Sequence, residues 1–208
     1  MSYRLPIIAL VLFIAVIVLG LLATTGFFSA ADRAAATTMS LQAGQSRPDL
    51  ITAMQATSWV GGGTPRWIIV TAICALLLWR GWTRPVVALA ATSLASNLVS
   101  ESLKSLFGRV RPDIVPHLDL ATNPAYPSGH ATNAAVVYIL LALLVPARWR
   151  APAMVAALAM TLLTGFSRIM LGVHWPTDVV GGWMLGTAFA LIGVWWVRQD
   201  ARHAQPIG

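Results

Sequence analysis

The sequence predicts an all-α integral membrane protein, a six-transmembrane-helix bundle forming one domain over residues 1–208. Three observations predict it. The chain is 57% hydrophobic and only 10% charged, with a mean hydropathy of +0.72, whereas ordinary soluble domains are about 25% charged. Six apolar stretches recur along it, most of them near the roughly 20 residues that cross a hydrocarbon core. The links at Arg80 to Arg84 and Pro146 to Arg150 are short enough to demand antiparallel neighbours.

The first span runs from Leu5 to Phe28. Arg4 before it and Ser29, Ala30 and Ala31 after it have the look of signal-peptide flanks, but the apolar run exceeds the about 7 to 15 residues of a signal core, so an uncleaved span is expected. From about residue 29 to 66 the chain turns polar, with Asp32, Arg33, Arg47, Asp49 and the run Gly61-Gly62-Gly63, and is read as an extramembrane segment. Within it, "PDLITAMQATSWV" suits a helix on the membrane surface with Leu50, Met54, Trp59 and Val60 toward lipid.

The second span, Trp67 to Trp82, is interrupted by Arg80, which a helix end tolerates because the long side chain reaches the interface. It holds the lone Cys74, which is read as a packing residue, since one cysteine makes no intrachain disulfide. In the third span, Pro85 to Leu106, the residues Ser93, Ser96, Asn97 and Ser100 are read as interhelical hydrogen-bonding groups. Ala131 to Val145, Pro152 to Phe166 and Val179 to Val197 complete the set, and Gly182 and Gly186 form a small-xxx-small contact in the last.

A formal charge of +7 and a pI near 11.1 raise the question of nucleic acid. The 14 basic residues are spread over several loops and gather into no stripe, so no nucleic-acid partner is expected.

Three polar clusters break the apolar pattern: "KSLFGRVRP" at 104–112, "PSGH" at 127–130 and "SRIMLGVHWPTD" at 167–178. The first closes span three and the second opens span four. Spans four and five then cross and return, so all three clusters face one side. Lys104 and Arg111, seven residues apart, share a helix face about 10 Å apart if the helix continues, with Pro112 ending it. The plainer alternative pairs Lys104 with Glu101 and leaves Arg109 and Arg111 solvating a loop. Ser128 suits the N-cap of span four, where the amides of Gly129 and His130 make an anion site that a bare glycine lets a phosphate approach. An ordinary turn is the alternative there.

Pro176 suits the first turn of span six, placing His174 just ahead and Asp178 one turn in. A carboxylate on one imidazole nitrogen fixes the tautomer and leaves the other nitrogen free to attack. The alternative is a helix-capping aspartate beside an incidental histidine. Together, three basic residues, a helix N-terminus and two histidines on one face describe a phosphate pocket. Phosphoryl transfer asks for positive charge around the equatorial oxygens, an in-line nucleophile and an acid for the leaving group. No carboxylate cluster suited to Mg²⁺ accompanies them, and neither metal nor cofactor is expected. His117 and His203 are given no role.

In these motifs the chain resembles the type 2 phosphatidic acid phosphatase (PAP2) family, whose fold is related to the vanadium haloperoxidases. The family signature Lys-x6-Arg-Pro, Pro-Ser-Gly-His and Ser-Arg-x5-His-x3-Asp reads here Lys104 to Arg111-Pro112, Pro127-Ser128-Gly129-His130, and Ser167-Arg168 to His174 to Asp178. The resemblance implies a PAP2/haloperoxidase-like catalytic core in which Lys104, Arg111, Ser128, Gly129 and Arg168 hold phosphate. It implies that His174 is the nucleophile, forming a phosphohistidine, with Asp178 orienting it. His130 would protonate the leaving group and then activate water as general base. Tyr126 and Trp175, beside the motifs, are read as interface anchors.

The implied activity is that of a bacterial membrane lipid phosphatase removing the terminal phosphate of undecaprenyl pyrophosphate, phosphatidylglycerophosphate or phosphatidic acid. Its partners would be that lipid and the bilayer. Alternatives are phosphate transfer to a second lipid and a non-catalytic lipid-binding transporter or scaffold; a haloperoxidase is disfavoured because those relatives are typically soluble. Arg4, Arg80, Arg84, Arg148, Arg150, Arg198 and Arg202 lie opposite the clusters, whereas Arg33, Arg47, Arg66 and Arg109 remain on their side once Lys104, Arg111 and Arg168 are assigned to the pocket. By the positive-inside rule the pocket faces out of the cytoplasm, and the resemblance implies the same for a bacterial cytoplasmic membrane.

Overall fold

The computed structural model describes residues 3–200, which leaves Arg202 and His203 outside the described residues. Its helices are α1 (Arg4–Thr24), α2 (Ser29–Met39), α3 (Pro48–Gly61), α4 (Gly63–Trp79), α5 (Thr83–Phe107), α6 (Gly129–Leu144), α7 (Ala147–Met170) and α8 (Pro176–Asp200). The described residues contain no strand. One turn of α6, Ala135–Ile139, is π-helical.

Four helices, α1, α5, α7 and α8, are long and apolar enough to cross a bilayer, and a fifth span arises if α3 and α4, bent by 55° at Gly62, are counted together. The expected six full-length spans are therefore not reproduced. Helix α4 has 17 residues because Gly81 (φ 74°) turns the chain just past its end, and α6 runs only from Gly129 to Leu144 because Pro146 blocks continuation. The surface helix expected at "PDLITAMQATSWV" exists as α3, but Met54 points into the protein against Leu41, Leu171 and Val173, while Trp59 is exposed.

Helix α8 is the axis of the bundle: 56% of its apolar window is buried, against 17% for α1, whose outer face carries exposed Ile7, Leu10, Val11 and Ile14. Helices α1, α5, α6 and α7 pack around it. The α6–α8 approach depends on the two expected glycines. A Cβ on Gly182 would stand 2.5 Å from the Ser128 carbonyl oxygen, and one on Gly186 would stand 2.2 Å from that of Thr132.

Tyr126, expected as an interface anchor, is fully buried: its hydroxyl donates to the Val16 carbonyl at 2.6 Å and its ring lies edge-on to Phe107. Gly20 and Gly181 leave the space its ring occupies. The serines of α5 do not bond across helices. Ser96 donates to Ser93 of its own helix, Ser93 and Ser100 hydroxyls are buried without partners, and only Asn97 bonds another helix, accepting from Arg66 at 2.7 Å.

Candidate active site

Two helix ends place the site. Helix α5 stops at Phe107 because Gly108 turns left-handed (φ 55°) and its N–H donates to the Lys104 carbonyl. Arg111 therefore sits in the following loop, not on the helix face with Lys104 as the spacing suggested. Helix α7 ends just past Arg168, where Gly172 (φ 76°) reverses the chain, and the amides of Val173 and His174 both return to the Arg168 carbonyl. That reversal lays His174 over Arg168. Helix α8 then begins at Pro176, as the sequence suggested.

A cavity of about 230 Å³ lies where these ends meet the start of α6. Its wall contains Lys104, Arg111, Gly129, His130, Arg168 and His174, six of the eight residues singled out from the motifs. Ser128 and Asp178 lie behind it, fully buried. Ser128 makes no side-chain cap; its amide donates to the Asp178 carbonyl and its hydroxyl is buried with no protein partner. Gly129 leaves the Lys104 ammonium as the nearest neighbour of any Cβ there, at 3.5 Å.

The cations are held by the surrounding chain. Arg111 donates to the Asn123 carbonyl (2.8 Å) and side chain (2.9 Å) and to the Val173 carbonyl (2.6 Å). Burial and the nearby Arg168 push its guanidinium down to about 10, which leaves it charged at neutral pH. Lys104 does pair with Glu101, at 2.6 Å, and it faces the cavity as well. Arg168 bonds Ser58 of α3 and Asp119 of the α5–α6 loop. Burial raises the Asp119 carboxyl, but the Arg168 charge and the bonds from Arg168 and Ser58 outweigh it and hold the group below its usual range.

The chemistry of His174 follows from its neighbours. Arg111 Nη1 lies 3.2 Å from His174 Nε2, and arginine only donates, so Nε2 accepts and the ring proton sits on Nδ1. Nδ1 faces Asp178 Oδ2 at 3.4 Å. Burial, then the charges of Arg111, Arg168 and Lys104, push the imidazole well below its ordinary value. The ring is thus neutral, with a lone pair beside three cations that line the same cavity. Among the described residues no group of three or more His, Cys, Asp or Glu side chains is placed to hold a metal ion.

Several contributors occupy no fixed position of the motifs. The Arg109 side chain, read there as loop-solvating, is only 9% exposed and pairs with Asp32 and Asp178. The segment 29–66 roofs the site: Ser58 bonds Arg168, Arg66 lines the cavity, and Gly62 lies so close to His130 that a Cβ would stand 1.8 Å from Nε2. One signal was available in the sequence. Of the chain's seven acidic residues, Asp32, Glu101, Asp119 and Asp178 pair with Lys104, Arg109 or Arg168.

A family model and several known proteins match the chain. The family model described as the PAP2 superfamily matches residues 85–202. The lipid A 1-phosphatase of Rhizobium etli is 34% identical over 49% of this chain and 45% of its own length. The undecaprenyl-diphosphatase of Sulfolobus acidocaldarius is 30% identical over 62% of each chain. The chain thus spans about half of the first curated relatives that it matches. The crystal structure of a transmembrane PAP2-type phosphatidylglycerolphosphate phosphatase from Bacillus subtilis superposes with a TM-score of 0.81 at 26% identity, covering 96% of this chain and 98% of that one. With its apolar helices, this chain is a multi-pass membrane protein.

Proposed function

Because this chain belongs to the PAP2 superfamily, we propose that it is a lipid phosphatase that hydrolyses the terminal phosphate of a lipid phosphate or diphosphate through a phosphohistidine on His174. The observation that carries this reading is the neutral His174, with Nε2 as its lone-pair nitrogen, in a cavity walled by Lys104, Arg111 and Arg168.

In this reading each residue has a task. Lys104, Arg111 and Arg168, with Gly129 and the Ser128 hydroxyl, hold the phosphate oxygens and offset the charge that spreads over them in the transition state. His174 Nε2 attacks phosphorus, the bond to the leaving lipid oxygen breaks, and His130 supplies that oxygen with a proton. As the imidazole takes on positive charge, Asp178 stabilises its Nδ1–H. His130, now the base, takes a proton from a water that attacks phosphorus. The P–N bond breaks, inorganic phosphate leaves, and His174 is neutral again.

Helices α4 and α6 complete six crossings of a single membrane domain, with the bilayer thinned locally around these shorter helices. The excess of arginine at the opposite end supports a cavity on the outer side of a bacterial cytoplasmic membrane, level with lipid headgroups. The names of the relatives support lipid A, undecaprenyl diphosphate and phosphatidylglycerophosphate as kinds of substrate, and phosphatidic acid belongs in the same chemical class. The test is inorganic phosphate released by detergent-purified protein, in EDTA, from a panel of undecaprenyl pyrophosphate, phosphatidylglycerophosphate and phosphatidic acid, beside His174→Ala. Release from a panel member that the variant has lost is the expected result. No release from any of them refutes hydrolysis of these lipids.

A further inference from the structure

Behind His174 runs a line of buried charges, of which the steps above use only Asp178. Asp178 Oδ2 accepts the Trp175 amide at 2.8 Å and faces His174 Nδ1, while Oδ1 accepts Arg109 Nη1 at 2.5 Å. Arg109 donates further to Thr177 Oγ1 and Asp32 Oδ2, both at 2.7 Å. Asp32 also accepts the Thr177 amide at 3.0 Å and its hydroxyl at 2.6 Å. The side chains of Asp32, Arg109 and Asp178 are 2%, 9% and 0% exposed. Three separate parts of the chain, α2, the α5–α6 loop and the start of α8, supply them.

The order of signs is the informative feature. Asp32, Arg109 and Asp178 alternate negative, positive, negative, and the fourth member, His174, is neutral until its ring gains positive charge on phosphorylation. The line carries one unmatched negative charge, and that charge faces the imidazole. Asp178 is also not fixed by His174 itself, since 3.4 Å is beyond a good hydrogen bond. Its position is set by the Trp175 amide and by Arg109, which engages Oδ1 and leaves Oδ2 turned to the ring. Arg109 is a long side chain that would otherwise sample many rotamers, and Asp32 and Thr177 hold its far side. Neither Arg109 nor Asp32 lines the cavity.

We propose that Arg109 and Asp32 are positioning residues for the reaction: they hold Asp178 against His174, so that phosphohistidine formation depends on a contact made by α2, outside the three sequence motifs. This rests on His174 being the nucleophile. Because neither residue touches the phosphate, their loss acts on turnover and not on binding.

The test uses the full-length protein in detergent, with the panel member that the wild type hydrolyses best, and inorganic phosphate as the binding probe. Arg109→Gln and Asp32→Asn lower kcat by about 10- to 100-fold, taking as a guide the loss seen when the outer partners of metal-bound histidines are removed. KM and the inhibition constant of inorganic phosphate stay within about threefold, and Arg109→Lys recovers part of the loss. Removing Arg109 leaves two buried carboxylates without their partner; if Arg109→Gln fails to fold, Asp32→Asn decides by the same criteria. Wild-type kcat in Asp32→Asn and in any folded Arg109→Gln overturns the inference, as does a loss confined to KM. A wild type that releases no phosphate, or a His174→Ala that retains activity, overturns instead the function on which it rests.

Discussion

Gly62→Ala isolates the placement of His130 from the stability of the fold. Gly62 has φ −125° and ψ 166°, an extended conformation open to alanine, so the substitution adds no backbone strain. The new Cβ would stand 1.8 Å from His130 Nε2 and 2.6 Å from both ring carbons beside it. Ordinary contact begins at 3.4 Å, so the ring must withdraw by about 1.6 Å, the difference between 3.4 and 1.8 Å. A misplacement of about 1 Å in a reacting group costs roughly 100-fold in rate, or about 2.7 kcal/mol of barrier. What yields is the far end of a side chain and not backbone, so the melting temperature stays within a few degrees. Initial rates of phosphate release at saturating substrate, with a thermal melt of the same preparation, measure both. A kcat within about threefold of wild type at an unchanged melting temperature would refute the role given to His130 and the closeness of the α3–α4 turn.

Three further expectations follow from single contacts. Ser128→Ala removes a buried hydroxyl with no protein partner, so stability changes by less than the about 1 kcal/mol of a lost hydrogen bond; hydrogen bonds to charged groups are worth about 1.5 to 3 kcal/mol, so kcat/KM falls about tenfold or more if the hydroxyl holds a phosphate oxygen. Tyr126→Phe loses the 2.6 Å bond to Val16, costing about 1 kcal/mol and lowering the melting temperature by about 2 to 4 °C with kcat unchanged. His174 is held neutral in the folded protein and takes a proton when unfolded below about pH 6.5, so its contribution to stability is full above that pH and is lost as pH falls toward the depressed folded value. Melting temperatures of His174→Asn should therefore decline less steeply than wild type below pH 6.5, and parallel declines would contradict the burial of a neutral imidazole.

The site was legible where short-range spacing sets geometry. Pro176, His174 and Asp178 lie within one turn, so helix arithmetic places them almost unaided. The crossing and return of spans four and five bring the three clusters to one end, whether or not the first two spans are full crossings. Less was legible where a single tertiary contact decides the outcome. Lys104 and Arg111 share the cavity despite Gly108 ending the helix between them, because the loop folds back through Asn123 and Val173. Tyr126 has the amphipathic form of an interface residue, and only the gaps at Gly20 and Gly181 make room to bury it. Asp32, Ser58 and Arg66 come from a segment with no motif and little periodicity, so only the folded chain puts them at the site. In a chain with twice as many basic as acidic residues, 14 against seven, each acid was nonetheless a signal that burial would need a partner for it.

The most direct test of the central claim is to trap the covalent intermediate. Protein incubated briefly with a radiolabelled substrate from the panel, quenched in alkali and digested, should yield an acid-labile, alkali-stable label on the peptide containing His174, absent from His174→Ala. Label that persists in His174→Ala, or full hydrolytic turnover by that variant, would contradict the assignment of His174 as the nucleophile.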